Sequence, residues 1–286
     1  MGLFSLQNPF FLNHTRLALF GVNVLITPTL LTFTQLQNFY LFTAVEKKWE
    51  YYLWSHMDVI AQTDEKSNGS LYSRVVDDIR ETLKPEYLGD NEHWGIRFFA
   101  YDWLALNSVK GFLSVGGWDT FISYYTSDCD MHARLSMGKV KNGVAVAGRI
   151  SDVGSTIDLN LLFRKKIGPG SSPKTAAEMD ALQEDERGLE GYDLVVAAVE
   201  KAIEEKKSPD HIRNSWQGAQ SGGKGEPFYR EPHGFQDNME RVVRAGVESY
   251  EEKWGHKGCD LGNTGFKTED AWVLNHDDTW EGKKRR

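Results

Sequence analysis

LALFGVNVLITPTLLTF, residues 17–33, carries no charge over its whole length. As a helix it would rise about 26 Å, slightly less than the roughly 30 Å of a bilayer's hydrocarbon core. Apolar neighbours from Phe10 onward, or an extension to Gln35, supply the difference. Asn23, Thr27, Thr29 and Thr32 are its polar members, and Pro28 removes one backbone donor. Threonine hydroxyls can satisfy the carbonyl that such a proline frees. A secretory leader needs a basic start and a small-residue cleavage site. The first fifteen residues hold neither Lys nor Arg, and no Ala-x-Ala follows closely. The run is therefore expected to be a retained transmembrane helix, with a buried core helix as the bland alternative.

Downstream, Leu36, Phe39, Tyr40, Phe42, Val45, Trp49, Tyr52, Leu53, His56, Val59 and Ile60 recur mostly three and four residues apart. That is one apolar stripe on a helix. No Gly or Pro interrupts residues 29–68, so the membrane helix is expected to continue as an amphipathic helix to about Asp64. Phe39, Tyr40, Trp49, Tyr51, Tyr52 and Trp54 would then form an aromatic belt at the bilayer surface. Ser70 caps a further helix that stops before Pro85. Residues 92–125 are aromatic-rich and read as a core or membrane-hugging helix; Lys110, Asp119 and the Gly116-Gly117 pair argue against a second span. Asn142-Gly143 between short β-prone runs signals a small hairpin. Beyond Gly168 the chain turns polar, with helices expected over residues 174–186, 192–207 and 236–254 and Gly/Pro-rich stretches between them. The fold class expected is mainly α with a small β element: one N-terminal transmembrane helix continuing into a long amphipathic helix, then an extended arm. The boundaries fall at 1–35, 36–165 and 166–286.

Thirty-three basic against 41 acidic residues leave a net charge of −8, which argues against a nucleic-acid partner. Two cysteines cannot build a disulfide framework. Gly218 to Gly225 comes within one residue of a phosphate-binding loop, but Gly225 stands where a magnesium-ligating Ser or Thr is required. Paired carboxylates such as Asp77-Asp78 are adjacent in sequence and read as solvated faces. One constellation stands out. Cys129 and His132 are spaced Cys-x-x-His, and His256 and Cys259 are spaced His-x-x-Cys. Together they could close a tetrahedral zinc site between the middle of the chain and its tail. A Cys129–Cys259 disulfide and two separate thiols are the other readings of the same pair. No other cofactor is expected.

In layout, with its uncharged run at 17–33, aromatic belt at 39–54, hinge-rich arm at 218–286 and only two cysteines, the chain resembles the lineage-specific accessory subunits of mitochondrial inner-membrane assemblies such as respiratory complexes or ATP synthase. The resemblance implies a non-catalytic role in scaffolding, assembly and lipid contact at the mitochondrial inner membrane, with other subunits and phospholipids as partners. Two alternatives stand beside it. One is a membrane-tethered enzyme using Cys129 and His132, or the scattered Asp and His residues, in a cleft. The other is a zinc-stapled soluble binding module.

Overall fold

The computed structural model describes residues 21–25, 27, 30–56, 59–66, 69–153, 192–207 and 232–273. Its first helix, α1 (Phe33–Glu46), begins where the apolar run ends. Thr32 is the reason. Its hydroxyl accepts from the Gln35 amide at 3.4 Å, and the Gln35 side chain accepts from the Thr32 amide at 3.0 Å. This reciprocal capping box is a helix start signal written in the sequence as Thr-x-x-Gln. Upstream, Gly21 sits in a turn at φ +71, and the described residues between it and Thr32 adopt no helix. The expected transmembrane helix is therefore corrected: its described portion is not helical, and no described helix is long and apolar enough to cross a membrane. Residues 17–20 lie outside the described residues.

The long amphipathic helix is also corrected. Lys47 caps α1 at its carboxyl end, Lys48 turns the chain at φ +59, and β1 (Tyr51–Ser55) follows, then β2 (Val59–Gln62). Tyr52 and Trp54 are buried while Leu53 between them is 45% exposed, the two-residue period of a strand. Aromatic residues favour a pleated, half-buried surface; in Tyr51-Tyr52-Leu53-Trp54 that preference outweighs the three- and four-residue spacing.

The chain continues through α2 (Leu71–Thr82), α3 (Pro85–Leu88), β3 (His93–Ala100), β4 (Leu104–Ser108), α4 (Val109–Ser114), α5 (Ser127–Met137), β5 (Val140–Val144) and β6 (Arg149–Asp152). Ser70 caps α2 through its hydroxyl, and Lys84-Pro85 marks the next helix start. The expected helix across 92–125 is replaced by β3, β4 and the short α4. The expected hairpin around Asn142-Gly143 is replaced by the single strand β5, paired parallel to β3. The expected mainly α fold with a small β element is corrected by a mixed four-stranded main sheet at its centre, which runs β1-β4-β3-β5 with β4 antiparallel to both β1 and β3. Strands β1, β3 and β5 thus point one way. β2 and β6 form a separate antiparallel pair.

One face of the sheet buries Tyr52, Trp54, Ile96 and Ala105 against Leu41 and Ala44 of α1, Phe112 of α4, and Met131 and Leu135 of α5. The other face packs Phe99, Leu104 and Leu106 on Val75 of α2 and Ile150 of β6. The described parts of the expected arm are docked rather than extended. α6 (Tyr192–Lys207) lays Val195, Val199 and Ala202 on Ile60 and Val153, while α7 (Pro232–Trp254) places Tyr250 and Trp254 on Ile122, Cys129 and Ala133. The expected helix at 174–186 and the phosphate-loop-like segment lie outside the described residues.

α4 meets β3 backbone to backbone. A Cβ added at Gly111 falls onto the Trp94 carbonyl oxygen and within 2.9 Å of the Gly95 Cα. Neither atom can withdraw without breaking the β3 ladder, so Gly111→Ala is expected to lower stability by about 2–3 kcal/mol. A urea-unfolding midpoint equal to that of the parent protein would show that this close approach does not exist.

Candidate active site

At the carboxyl end of β1 the chain passes from Ser55 into His56. At the carboxyl end of β3 it turns tightly through Tyr101, Asp102 and Trp103 before returning as β4. The two ends are stitched together: the Ser55 hydroxyl donates to the Trp103 carbonyl at 2.7 Å, and His56 Nε2 lies 3.5 Å from Asp102 Oδ2.

Helix α5 delivers the other half. Asp128 stands in its first turn and His132 one turn further along the same face. The Tyr101 hydroxyl donates to Asp128 Oδ2 at 3.2 Å, tying the β3 turn to the helix start. Tyr101 stacks on Phe98 at 6.0 Å, and the His132 ring lies 5.4 Å from the same phenylalanine. Burial pushes the His132 imidazole below its ordinary value, and the Asp128 and Asp102 carboxylates pull it back up. His132 therefore feels both carboxylates at once, one from each wall. His56 in turn stacks on Trp54 at 5.3 Å.

Two residues of this cluster's framework sit in the left-handed backbone region that L side chains rarely adopt: Tyr101 at φ +45, and Thr126, the residue capping α5, at φ +65. Such conformations cost of order 1–3 kcal/mol and concentrate at functional sites. Here they aim the Tyr101 hydroxyl and the first turn of α5 at each other.

Two residues past Asp128, on the opposite side of the helix, Asp130 is almost wholly buried. Arg134 Nε donates to it at 2.8 Å, Trp254 Nε1 donates at 2.9 Å, and Lys253 Nζ lies 2.7 Å from it. Lys253 also reaches Asp119 at 2.7 Å, and Arg134 donates to the carbonyls of Val115 and Gly117. This network fixes α5 from behind, so the position of Asp128 is set by α7 and the 115–119 loop as well as by its own helix.

The four residues expected to hold zinc are placed as follows. Cys129 and Cys259 are joined by a disulfide with their Cα atoms 4.9 Å apart. His132 belongs to the carboxylate cluster. His256 turns its Nε2 to Asp260 at 2.6 Å. Among the described residues no three His, Cys, Asp or Glu side chains converge as a metal site. Asp78, read from sequence as half of a solvated pair, is instead partly buried and ion-paired with Arg97, whose guanidinium lies over the Tyr87 ring.

Sequence reasoning missed Asp102 and Asp128. The available signal was Asp-x-x-x-His and Asp-x-x-x-Arg interleaved over residues 128–134, two charged faces on one short helix. The other was a lone Asp between two apolar strands. No family model, curated protein or solved structure matches the chain.

Because folded His132 holds its proton less tightly than the unfolded chain does, the unfolded state protonates first as the pH falls. Its contribution to stability is intact above the ordinary histidine value of about 6.5 and is lost as the pH drops through that value toward the lower folded one. His132→Gln is expected to flatten the fall of the urea midpoint between about pH 7 and pH 5. An unchanged slope would mean that this imidazole is not buried.

Proposed function

We propose that the chain is an enzyme that transfers or hydrolyses a group on a polyhydroxylated, sugar-like substrate, with His56, Tyr101, Asp102, Asp128 and His132 as its polar centre. The observation that carries this reading is the placement, at the carboxyl ends of β1 and β3, of the His56–Asp102 pair at 3.5 Å and the Tyr101–Asp128 pair at 3.2 Å, with the His132 imidazole within electrostatic reach of both carboxylates. Carboxylates accept hydrogen bonds from substrate hydroxyls, and Tyr101, 58% exposed, offers a ring face to the C–H side of a sugar. Asp128 is suited to take the proton from an attacking hydroxyl or water. His132, held neutral near pH 7, accepts or relays that proton.

Asp128→Asn keeps the shape and removes the base. It is expected to lower kcat by about 100-fold or more, with KM changed little. The assay is turnover of a panel of aryl glycosides and nucleotide-activated sugars, with and without divalent cations. A panel that neither binds nor turns over would sink the sugar reading.

The accessory-subunit reading drew on the transmembrane run, and that support is withdrawn for the described residues. What still favours a protein partner is the exposed apolar set Phe42, Val45, Trp49 and Leu53 along α1 and β1. Native-gel separation followed by mass spectrometry separates the two: migration near 32.5 kDa, the mass of the chain alone, favours the enzyme.

A further inference from the structure

Besides the Tyr101 hydroxyl on Asp128, the start of α5 is held at two further points of different chemistry. Asp130 is gripped by Lys253 and Trp254 of α7. Cys129, between Asp130 and the site carboxylate Asp128, is bonded to Cys259 across a sequence separation of 130 residues. The two sulfur-bearing residues differ in exposure: Cys129 is buried and Cys259 is exposed. After Trp254 the described chain forms only two three-residue 3-10 turns, Leu261–Asn263 and Thr268–Asp270. Its non-covalent hold on the body includes buried Leu261, with Phe266 and Ala271 beside it, and ring contacts of Phe266 with Trp254 at 6.5 Å and of Trp272 with Phe121 at 6.2 Å. The Tyr250 hydroxyl donates to the Gly258 carbonyl at 2.5 Å, and the Trp272 amide donates to the Lys253 carbonyl at 2.9 Å.

We propose that the Cys129–Cys259 disulfide is a redox-addressable tether that controls the order of the α5 start, and through it the placement of Asp128. The effect on Asp128 as a catalytic group rests on the enzymatic reading above; the tether itself does not. The reductant is a small dithiol. One of its thiolates attacks the accessible Cys259 sulfur, forming a mixed disulfide and releasing Cys129 as a thiolate, which takes up a proton. The second thiol of the reductant then closes its own disulfide and releases Cys259. Two electrons and two protons pass from the dithiol to the cystine, and no other reactant is needed.

The opening is local because the Asp130 network does not contain the disulfide. Reduction loosens residues 255–273 and the start of α5 ahead of Asp130, while Lys253 and Trp254 hold Asp130 and keep α7 on the body. Disulfides persist in oxidising compartments, so the tether closes there and opens on contact with a thiol pool.

The test is hydrogen exchange on the full chain, oxidised and then reduced with dithiothreitol, with alkylation of the two cysteines confirming complete reduction by mass. Amide protection is expected to fall at least tenfold over 126–130 and 255–273, to stay unchanged over 239–250, and to return on reoxidation with glutathione disulfide. Unchanged protection over 126–130 in the fully reduced protein would overturn the proposal. Loss of protection throughout the sheet would also overturn it, making the bond a global staple. The Cys129→Ala/Cys259→Ala variant must reproduce the reduced pattern without dithiothreitol; an oxidised-like pattern contradicts the tether. Sugar-panel turnover, measured in parallel, reports on the functional reading separately, since the exchange pattern stands whether or not the panel is turned over.

Discussion

Asp130 is the group on which the architecture turns. A carboxylate deprived of water is costly unless several donors replace that water. Here Arg134, Lys253 and Trp254 do so from two helices, and Lys253 shares its charge with Asp119. Removing one partner of such a buried network typically costs about 3–5 kcal/mol, because the charge left behind has no solvent. The network therefore fixes the relative placement of α5, α7 and the 115–119 loop within narrow limits. The short α4 obeys a similar constraint by a different route, its Gly111 lying on the backbone of β3.

From that rigidity follows the division of labour on α5. Asp130 and Arg134 face inward and serve the fold, whereas Asp128 and His132, on another face, look toward the ends of β1 and β3. The same four-residue spacing thus supplies an anchoring pair and a chemical pair on one eleven-residue helix. The strained backbone at Tyr101 and Thr126 lies on the chemical side. It is tolerated because the anchoring side and the sheet over-determine the surrounding structure.

Parts of this were legible in the residues. Ser70 and Pro85 punctuate α2 through local chemistry that tertiary contacts do not override, and the helices expected over 192–207 and 236–254 form as α6 and α7, the second starting earlier, at Pro232. The pairing of Cys129 with Cys259 stood among the alternatives weighed for those thiols. The region from Leu17 to Ile60 misled because apolar content was read without its punctuation. Thr32 and Gln35 start a helix inside a run that hydropathy treats as continuous, and Lys48 reverses the chain without any Gly or Pro to announce it. Asn142-Gly143 carried a turn signal, yet the open position beside β3 drew it into a parallel strand. Parallel pairing is non-local and leaves no mark in a short window of sequence. Asp102 and Asp128 were opaque for a related reason. Neither belongs to a motif, and they come within electrostatic reach of one imidazole only because β3, β4 and α5 fold back on one another.

The account stands on the convergence of His132 with Asp128 and Asp102. The measurement that bears on it most directly is an NMR titration of the histidine ring signals in the parent protein and in Asp128→Asn. The structure predicts that His132 titrates below the ordinary histidine value in the parent, and lower still when the Asp128 charge is removed. A His132 that titrates at the ordinary value, and does not respond to the substitution, would contradict the site as described.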